Sequence, residues 1–249
     1  PFVFVGDINE KGITAYVRGT SQQLIWQSYY ILEETFTYEI PKAVVFNVNA
    51  MRYSEPVKEE YHRLTIDKMR WSKEKVGIIQ ASMTEEETFL SYVFPILRYH
   101  SRFSQLTAED ITYLFDEKQI TWQGHLVNDN VKPLGRLPSK KDLADYSFGD
   151  ICWEYLEKMR LLCEENGAEL ILIKAPSVYP YWYEQYDAQI EEYAAKHGLA
   201  FYNFLDNVEE IGIDYQVDTY DAGLHMNLSG ATKLSTYFAK ILSKQHGLP

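Results

Sequence analysis

Cysteine is scarce in this sequence, and no apolar run is long enough to cross a membrane. The only two cysteines among 249 residues, Cys152 and Cys163, lie eleven positions apart in one predicted helix. At 1.5 Å per residue they are about 16 Å apart along its axis, which is too far for a disulfide. We interpret both as core residues. The apolar runs fall well short of ~18 residues, and no signal-peptide pattern is present.

Basic residues are also in deficit. The chain has 24 lysines and arginines against 36 acidic residues, which gives a formal net charge of -12. Such a field repels nucleic-acid phosphates and anionic lipid headgroups, so no nucleic acid partner is expected. The sequence lacks a glycine-rich phosphate loop and a dinucleotide fingerprint. His100 and His125 have no second histidine or cysteine at ligand spacing, so neither a cofactor nor a metal site is predicted.

Aromatic residues are plentiful, at 15% of the chain with 20 tyrosines, and hydrophobic residues make up 46%. This is the composition of a globular protein with one large core or two small ones. Tyrosine combines an apolar ring with a hydroxyl that needs a partner, and carbohydrate-facing clefts use such rings. The tyrosine-rich stretches are also typical of amphipathic element faces, which is the simpler interpretation for any single tyrosine.

Apolar runs alternate with helical patterns along most of the chain. We predict strands at residues 13–17, 42–48, 169–174 and 199–204, and helices at 21–38, 150–166, 183–197 and 228–245. Gly167 and Gly198 mark the ends of two of these helices. Strands that alternate with helices in this way predict an α/β fold with a doubly wound parallel sheet, in which the four runs are parallel neighbours.

Residues 51–148 interrupt this alternation with helical and irregular sequence. Helices are predicted near 59–70, 73–81 and 84–102, the last with Thr84 and Glu87 spaced as a capping box. We interpret 51–148 as a mainly helical insertion, or lid, over the mouth of the sheet in a single domain that spans residues 1–249.

The start of the chain does not fit a parallel strand. If residues 2–5 paired in parallel with residues 13–17, the connection would be shorter than the dozen residues that a parallel crossover needs. We therefore interpret residues 1–12 as a crossover and expect the first strand upstream of Pro1. An antiparallel edge strand at residues 2–5 is the alternative.

The segment 218–230, DTYDAGLHMNLSG, follows the last predicted strand and contains the best candidate for a catalytic base. His225 stands on this loop, where a carboxylate can orient one ring nitrogen while the other accepts a proton. Asp221 is the candidate orienting residue, and Asp218 is a rival. In the structural alternative, His225 is not catalytic and Asn227 with Ser229 simply starts the final helix.

Two further positions follow predicted strands. The backbone N–H of Gly19 and the side-chain amide of Asn49 are candidate donors to an oxyanion, because loops at the carboxyl ends of parallel strands converge on one crevice. Taken alone, Gly19 reads as a turn glycine and Asn49 as a strand-end cap. Ser21 stands just before a predicted helix, so we expect it to be an N-cap and keep it only as a fallback nucleophile.

The segments VRGTSQQLIWQSYYILEETF, FNVNAMRYSEP and DTYDAGLHMNLSG resemble the SGNH (GDSL-type) hydrolase superfamily, in particular a Gram-positive subgroup of uncharacterised SGNH-like proteins. The resemblance covers nearly the whole chain and implies a flavodoxin-like α/β/α sandwich. It implies Gly19 and Asn49 as oxyanion donors and His225 as the base. Asp221 precedes His225 by four residues rather than the usual three, and no Gly-Asp-Ser or Gly-Ser-Ser-His motif occurs.

The resemblance implies a serine-dependent esterase or O-acyltransferase that acts on an acylated carbohydrate or cell-envelope polymer without a cofactor. The nucleophilic serine is then expected just upstream of Pro1. In the subgroup, a membrane-anchoring N-terminal helix precedes the Gly-Ser-Ser-His-like nucleophile motif. The resemblance therefore implies an extracytoplasmic, cell-surface location. The alternative is a non-catalytic SGNH-like module that lacks the nucleophile and binds glycan in a tyrosine-rich cleft.

Overall fold

The computed structural model describes residues 14–56, 58–94, 97, 107–108, 123–124 and 127–248. Within these ranges the chain forms a three-stranded parallel sheet. Its strands are β1 (Ala43–Asn47), β2 (Glu169–Lys174) and β3 (Ala200–Asn203), in the order β1-β2-β3. In the register, Ala43 lies opposite Glu169 and Ile171 lies opposite Ala200. The predicted α/β class is therefore confirmed, as is the parallel pairing of three of the four runs.

Eight α-helices accompany the sheet in the described residues. They are α1 (Ile25–Phe36), α2 (Glu59–Ile66), α3 (Lys73–Ser82), α4 (Phe89–Val93), α5 (Asp150–Glu165), α6 (Glu184–His197), α7 (Val208–Ile211) and α8 (Leu228–Gln245), and a 3₁₀ helix spans Val48–Arg52. Gly198 adopts the left-handed conformation that ends α6, with φ 67°, as its position predicted. Helix α8 has the predicted bounds.

Side chains from the two faces of β2 enter two different cores. Leu170 and Leu172 pack with residues of α1, α5 and α6, whereas Ile171 and Ile173 pack with residues of α7 and α8. All four are at most 3% exposed. A strand that is buried on both faces needs apolar residues at successive positions, which explains the uninterrupted LILI run.

The predicted strand at residues 13–17 is wrong in its described part. Residues 14–17 are irregular, and Ile13 lies outside the described residues. The backbone N–H of Val17 donates to the carbonyl of Gln123 at 2.9 Å. Its partner is therefore in the predicted insertion at residues 51–148, here called the inserted block, and not in the sheet. Arg18 pairs with Glu34 of α1 at 2.7 Å. The β-rich composition of the run is overridden by these tertiary contacts.

The expectation that Ser21 caps the first helix is also wrong. Helix α1 begins at Ile25, and its N-cap is Leu24, whose backbone N–H donates to Gln27 Oε1 at 3.0 Å. Ser21 is exposed in a turn, and Gln22 after it has φ 53°. A left-handed residue cannot continue into an α-helix, so the turn delays the helix by four residues.

The described part of the inserted block contributes no strand to the sheet. Its helix α3 packs against α1, where Trp26 Nε1 donates to Ser82 Oγ at 3.2 Å. Thr84 and Glu87 interact as the spacing predicted, with Thr84 N 2.9 Å from Glu87 Oε2. Helix α4 nevertheless begins only at Phe89, because the chain first makes a turn. Most of the remaining predicted helix, along with His100, His125 and residues 2–5, lies outside the described residues.

Candidate active site

The carboxyl ends of β1 and β2 meet a loop from the C-terminal part of the chain. At the end of β1, Asn47 Oδ1 accepts a hydrogen bond from the backbone N–H of Ala175, which directly follows β2. Three residues further on, the N–H of Val178 donates to the carbonyl of Gly223 at 2.9 Å. Tyr215 OH donates to the carbonyl of Pro176 at 2.7 Å. The loop at residues 218–227, here called the His225 loop, is therefore held at the carboxyl edge of the sheet.

Asp221 and His225 form a hydrogen-bonded pair within this loop. Asp221 Oδ2 contacts the ring Nδ1 of His225, and Asp221 Oδ1 accepts the backbone N–H of His225 at 2.6 Å. The ring of Tyr220 is stacked on the imidazole at a centroid distance of 5.6 Å. The His225 side chain is 38% exposed. A carboxylate at Nδ1 favours the tautomer in which Nε2 is the proton acceptor, which is the arrangement that a general base requires.

Asp218 holds the loop in place through buried hydrogen bonds. Its side chain is fully buried, and Oδ2 binds Lys233 Nζ at 2.6 Å and the N–H of Asp214 at 2.8 Å. Ser229 Oγ donates to Oδ1 at 2.7 Å. Burial acts to raise the pKa of Asp218, but the hydrogen bonds from Asp214 and Lys233 outweigh burial and lower it. Asp218 thus anchors the loop to α8, and Asp221 is the acid that contacts His225.

Thr219 and Asn227 fix the two ends of the His225 loop. Thr219 Oγ1 donates to the carbonyl of His225 at 2.8 Å and accepts the N–H of Gly223 at 2.8 Å. Asn227 Oδ1 accepts the N–H of Gly230 at 3.1 Å, which makes Asn227 the N-cap of α8. The predicted helix start at this asparagine is confirmed, and His225 lies two residues before it.

The C-terminal part of the inserted block runs beside the His225 loop. Lys132 N donates to the carbonyl of Thr219 at 2.9 Å, and Lys132 O accepts the N–H of Ala222 at 3.0 Å. Leu228 N donates to the carbonyl of Asn128 at 2.8 Å. Residues 128–132 therefore border the candidate site.

The two proposed oxyanion donors differ in how the structure places them. Asn49 lies in the 3₁₀ helix directly after β1, where its N–H donates to Asn47 Oδ1 at 3.2 Å, so it stands at the carboxyl edge. Gly19 lies in the irregular segment 14–20, and its neighbour Thr20 contacts Thr65 of α2 through their hydroxyls. Gly19 thus does not follow a strand, which removes the reason for expecting it at the sheet edge.

His246 offers a comparison with His225. It too is paired with a carboxylate, Glu169 Oε1, at 2.6 Å from Nδ1, but its Nε2 lies 2.7 Å from Tyr202 OH. Glu169 is the first residue of β2, so this histidine lies at the amino edge of the sheet. A histidine–carboxylate pair alone is therefore not distinctive, and the carboxyl-edge location is what singles out His225.

Two aromatic residues that follow β2, Trp182 and Tyr183, pack against the predicted insertion at residues 51–148. Trp182 is 7% exposed and its ring lies 6.2 Å from that of Phe148. Tyr183 is 4% exposed and its hydroxyl donates to the carbonyl of Lys141 at 2.7 Å. For these two side chains the structure therefore shows packing rather than exposure to a cleft.

Lys174, the last residue of β2, is a buried charge that the sequence analysis did not single out. It is 0% exposed, and Nζ donates to the carbonyls of Ala175 and Ser177 at 2.6 and 3.0 Å. Burial lowers the pKa of its ammonium group to about 7. The lysine ties the turn at 175–178 to the strand end. The signal available in the sequence was a lysine that directly follows the apolar run LILI.

We expect Lys174 to make the free energy of unfolding depend on pH. In the unfolded chain the pKa is near 10.5, so as the pH falls from about 10.5 to about 7 the unfolded state gains a proton that the folded state does not. Stability should therefore rise with pH in this window, by up to about 1.4 kcal/mol per unit. Urea unfolding of the wild type and Lys174→Met at about pH 7 and about pH 9 measures this. Equal pH slopes in the two proteins would contradict it.

No family model matches this chain, and neither a curated protein nor a solved structure does. In the part of the chain that the structure describes, no helix is both long and apolar enough to cross a bilayer. The same residues contain no cluster of three or more histidine, cysteine, aspartate or glutamate side chains that fits a metal ion.

Proposed function

We propose that this protein is a serine-dependent esterase or O-acyltransferase that acts on an acylated carbohydrate or cell-envelope polymer, like the SGNH hydrolases that its sequence resembles. The observation that carries the proposal is the Asp221–His225 pair at the carboxyl edge of a parallel sheet. In open α/β sheets this edge is where ligands bind.

In the proposed reaction, His225 Nε2 takes the proton from a serine hydroxyl as its oxygen attacks the ester carbonyl. The tetrahedral intermediate then collapses, the alcohol leaves with that proton, and the acyl group stays on the serine. Water or a sugar hydroxyl next attacks the acyl-enzyme and gives its proton to Nε2. The bond between the acyl group and the serine oxygen then breaks, the acid or the new ester leaves, and Nε2 returns the proton to the serine. Asp221 holds the ring in the required tautomer and stabilises the imidazolium.

The side-chain amide of Asn49 is the proposed donor to the oxyanion. It follows β1 at the same edge to which the turn after β2 fixes the His225 loop. Gly19 keeps the role of second donor only through the family resemblance. A hydrogen-bond donor that is already directed at the developing negative charge lowers the activation barrier by about 3 kcal/mol in comparable sites.

We place the nucleophile on a chain segment upstream of Pro1, at the end of a further strand. The open edge of β1 supports this placement. Within the described residues β1 pairs with β2 alone, although its sequence AVVFN is that of a covered strand. Val45 is 36% exposed. A parallel strand along this edge would bring its carboxyl end beside Asn49.

The same proposal includes the finer architecture and the cellular setting. The three strands are then the core of a doubly wound, flavodoxin-like sandwich in which 51–148 forms the lid. An N-terminal helix anchors the whole protein to the membrane on the outer side of a Gram-positive cell. The second candidate function is a non-catalytic glycan-binding module. The irregular segment before Ser21 favours it, because the nucleophile of such a fold is expected at the end of a strand and Ser21 does not follow one.

Ester turnover should need the upstream segment and should not need Ser21. We expect a chain that includes the residues encoded before Pro1 to hydrolyse a simple aryl acetate, and Ser21→Ala to leave kcat/KM within about twofold and stability within about 0.5 kcal/mol, as for other exposed turn positions. The 249-residue chain should be inactive. Activity in the 249-residue chain that disappears with Ser21→Ala would contradict the assignment, and inactivity of both chains would favour the binding module.

A further inference from the structure

Arg52 carries a positive charge at the carboxyl edge of the sheet that no acidic side chain of the described chain neutralises. It is the last residue of the 3₁₀ helix that follows β1, and its guanidinium carbon lies 5.4 Å from the centre of the Tyr186 ring on α6. Its Nε and Nη1 atoms are buried and, among the described residues, have no hydrogen-bond partner. Arg18, Arg63 and Arg160 each pair with a glutamate within 2.9 Å.

Buried N–H groups without a partner are unusual on an arginine, because the guanidinium is charged and presents five N–H donors. Burying such donors without acceptors is costly. Burial is the main cause of the lowered pKa of Lys174; the carboxylates of Asp187 and Asp206 act to raise this pKa, and the positive charge of Arg52 acts to lower it. Arg52 therefore lies close enough to the end of β2 to act electrostatically on Lys174, in a chain whose net charge is -12.

Asn49 lies on the same face of the 3₁₀ helix, since residues three apart are eclipsed in this helix type. Its Oδ1 is also buried, with no hydrogen-bond partner in the described ranges. The two side chains together offer two N–H donors of a fixed, planar group and one carbonyl acceptor. An oxygen of a carboxylate or phosphate can accept from either of these N–H groups, and a neighbouring hydroxyl can donate to the carbonyl.

We propose that Arg52 binds one anionic group of an acidic carbohydrate, a carboxylate or a phosphate, next to the reacting ester, and that Asn49 Oδ1 accepts a hydrogen bond from a neighbouring hydroxyl of the same ligand. The further statement that this ligand is part of the substrate rests on the proposed function. The acidic chain as a whole repels a polyanion, so the site selects a sugar unit with a single charge rather than a densely charged polymer.

Binding of small anions tests this without any need for turnover. Glucuronate, glucose and inorganic phosphate are titrated into the 249-residue chain at constant ionic strength, with binding followed by NMR. Glucuronate should bind more tightly than glucose, and the ranking of glucuronate against phosphate identifies the anion. Arg52→Met should weaken anion binding by roughly tenfold or more, the value of a charge-assisted hydrogen bond. Arg52→Lys keeps the charge without the planar guanidinium, so its affinity should fall between those of the wild type and Arg52→Met.

The controls separate this site from the proposed catalysis and from a structural role. His225→Ala should bind glucuronate as the wild type does, so an inactive enzyme leaves the binding result intact. Arg160→Met, which removes an arginine paired on the surface of α5, should not change anion binding. The melting temperature of Arg52→Met should be equal to or above that of the wild type, because no partner loses its charge. Failure of Arg52→Met to fold, or glucuronate binding no tighter than glucose binding, would overturn the proposal.

Discussion

Replacing His225 with alanine is expected to lower kcat for ester turnover by roughly a thousandfold in the chain that carries the nucleophile, with little change in KM. The reason is that a positioned general base contributes about 10²- to 10⁴-fold to such reactions. Asp221→Asn should also lower kcat strongly, by up to about 10⁴-fold, because the amide favours the wrong tautomer of the ring and does not stabilise the imidazolium. Steady-state kinetics with an aryl acetate measures both.

His246→Ala is the matched control for this experiment. His246 also contacts a carboxylate, but it does so at the amino edge of the sheet. We expect its loss to leave kcat unchanged while lowering stability modestly. If His225→Ala kept full activity, or if both histidine variants lost activity to the same extent, the Asp221–His225 assignment would fail.

Gly230→Ala is expected to have the largest effect on stability, a loss of about 3 kcal/mol of unfolding free energy, which is the scale of overpacking in a close-packed site. A Cβ at this position in α8 would lie 2.4 Å from the carbonyl oxygen of Asp218 and 3.0 Å from Met226 Sδ. Either the helix or the His225 loop must move, so turnover should fall as well. Urea unfolding followed by circular dichroism gives the change in midpoint.

Gly135→Ala provides the comparison. A Cβ there meets no atom within 4 Å, so the substitution should change stability by no more than about 0.5 kcal/mol. Equal unfolding midpoints for the two alanine variants would show that Gly230 is not required by the close approach of the backbone.

The period of the apolar residues was sufficient to predict β2, α6 and α8, because their sequences match the burial that each element has in the fold. The LILI run belongs to a strand with two covered faces, and Gly198 ends α6 by its left-handed conformation. Residues 13–17 have comparable local propensity. A strand also needs a neighbour, and the partner of Val17 is Gln123 in the inserted block, which no local pattern reveals.

The candidate site was predictable to the extent that it is local in sequence. Asp221 and His225 are four residues apart, so their spacing was enough to predict both as site residues. The spacing did not decide whether Asp221 or Asp218 orients His225. The contact of Asp218 with Lys233, fifteen residues away, resolves that choice. The roles of Arg52 and Lys174 could not be predicted from the sequence. Both depend on the burial of nitrogen atoms of a charged group, and burial is decided by elements that are distant in the chain.

The most direct test of the Asp221–His225 mechanism is to find the nucleophile by covalent labelling. A fluorophosphonate reacts with an activated serine and leaves a stable adduct, and peptide mass spectrometry then locates it. We expect a single adduct on a serine that precedes Pro1 in the longer chain, and no adduct in the same chain with His225→Ala. An adduct within the 249 residues, or labelling that persists without His225, would contradict the mechanism proposed for this protein.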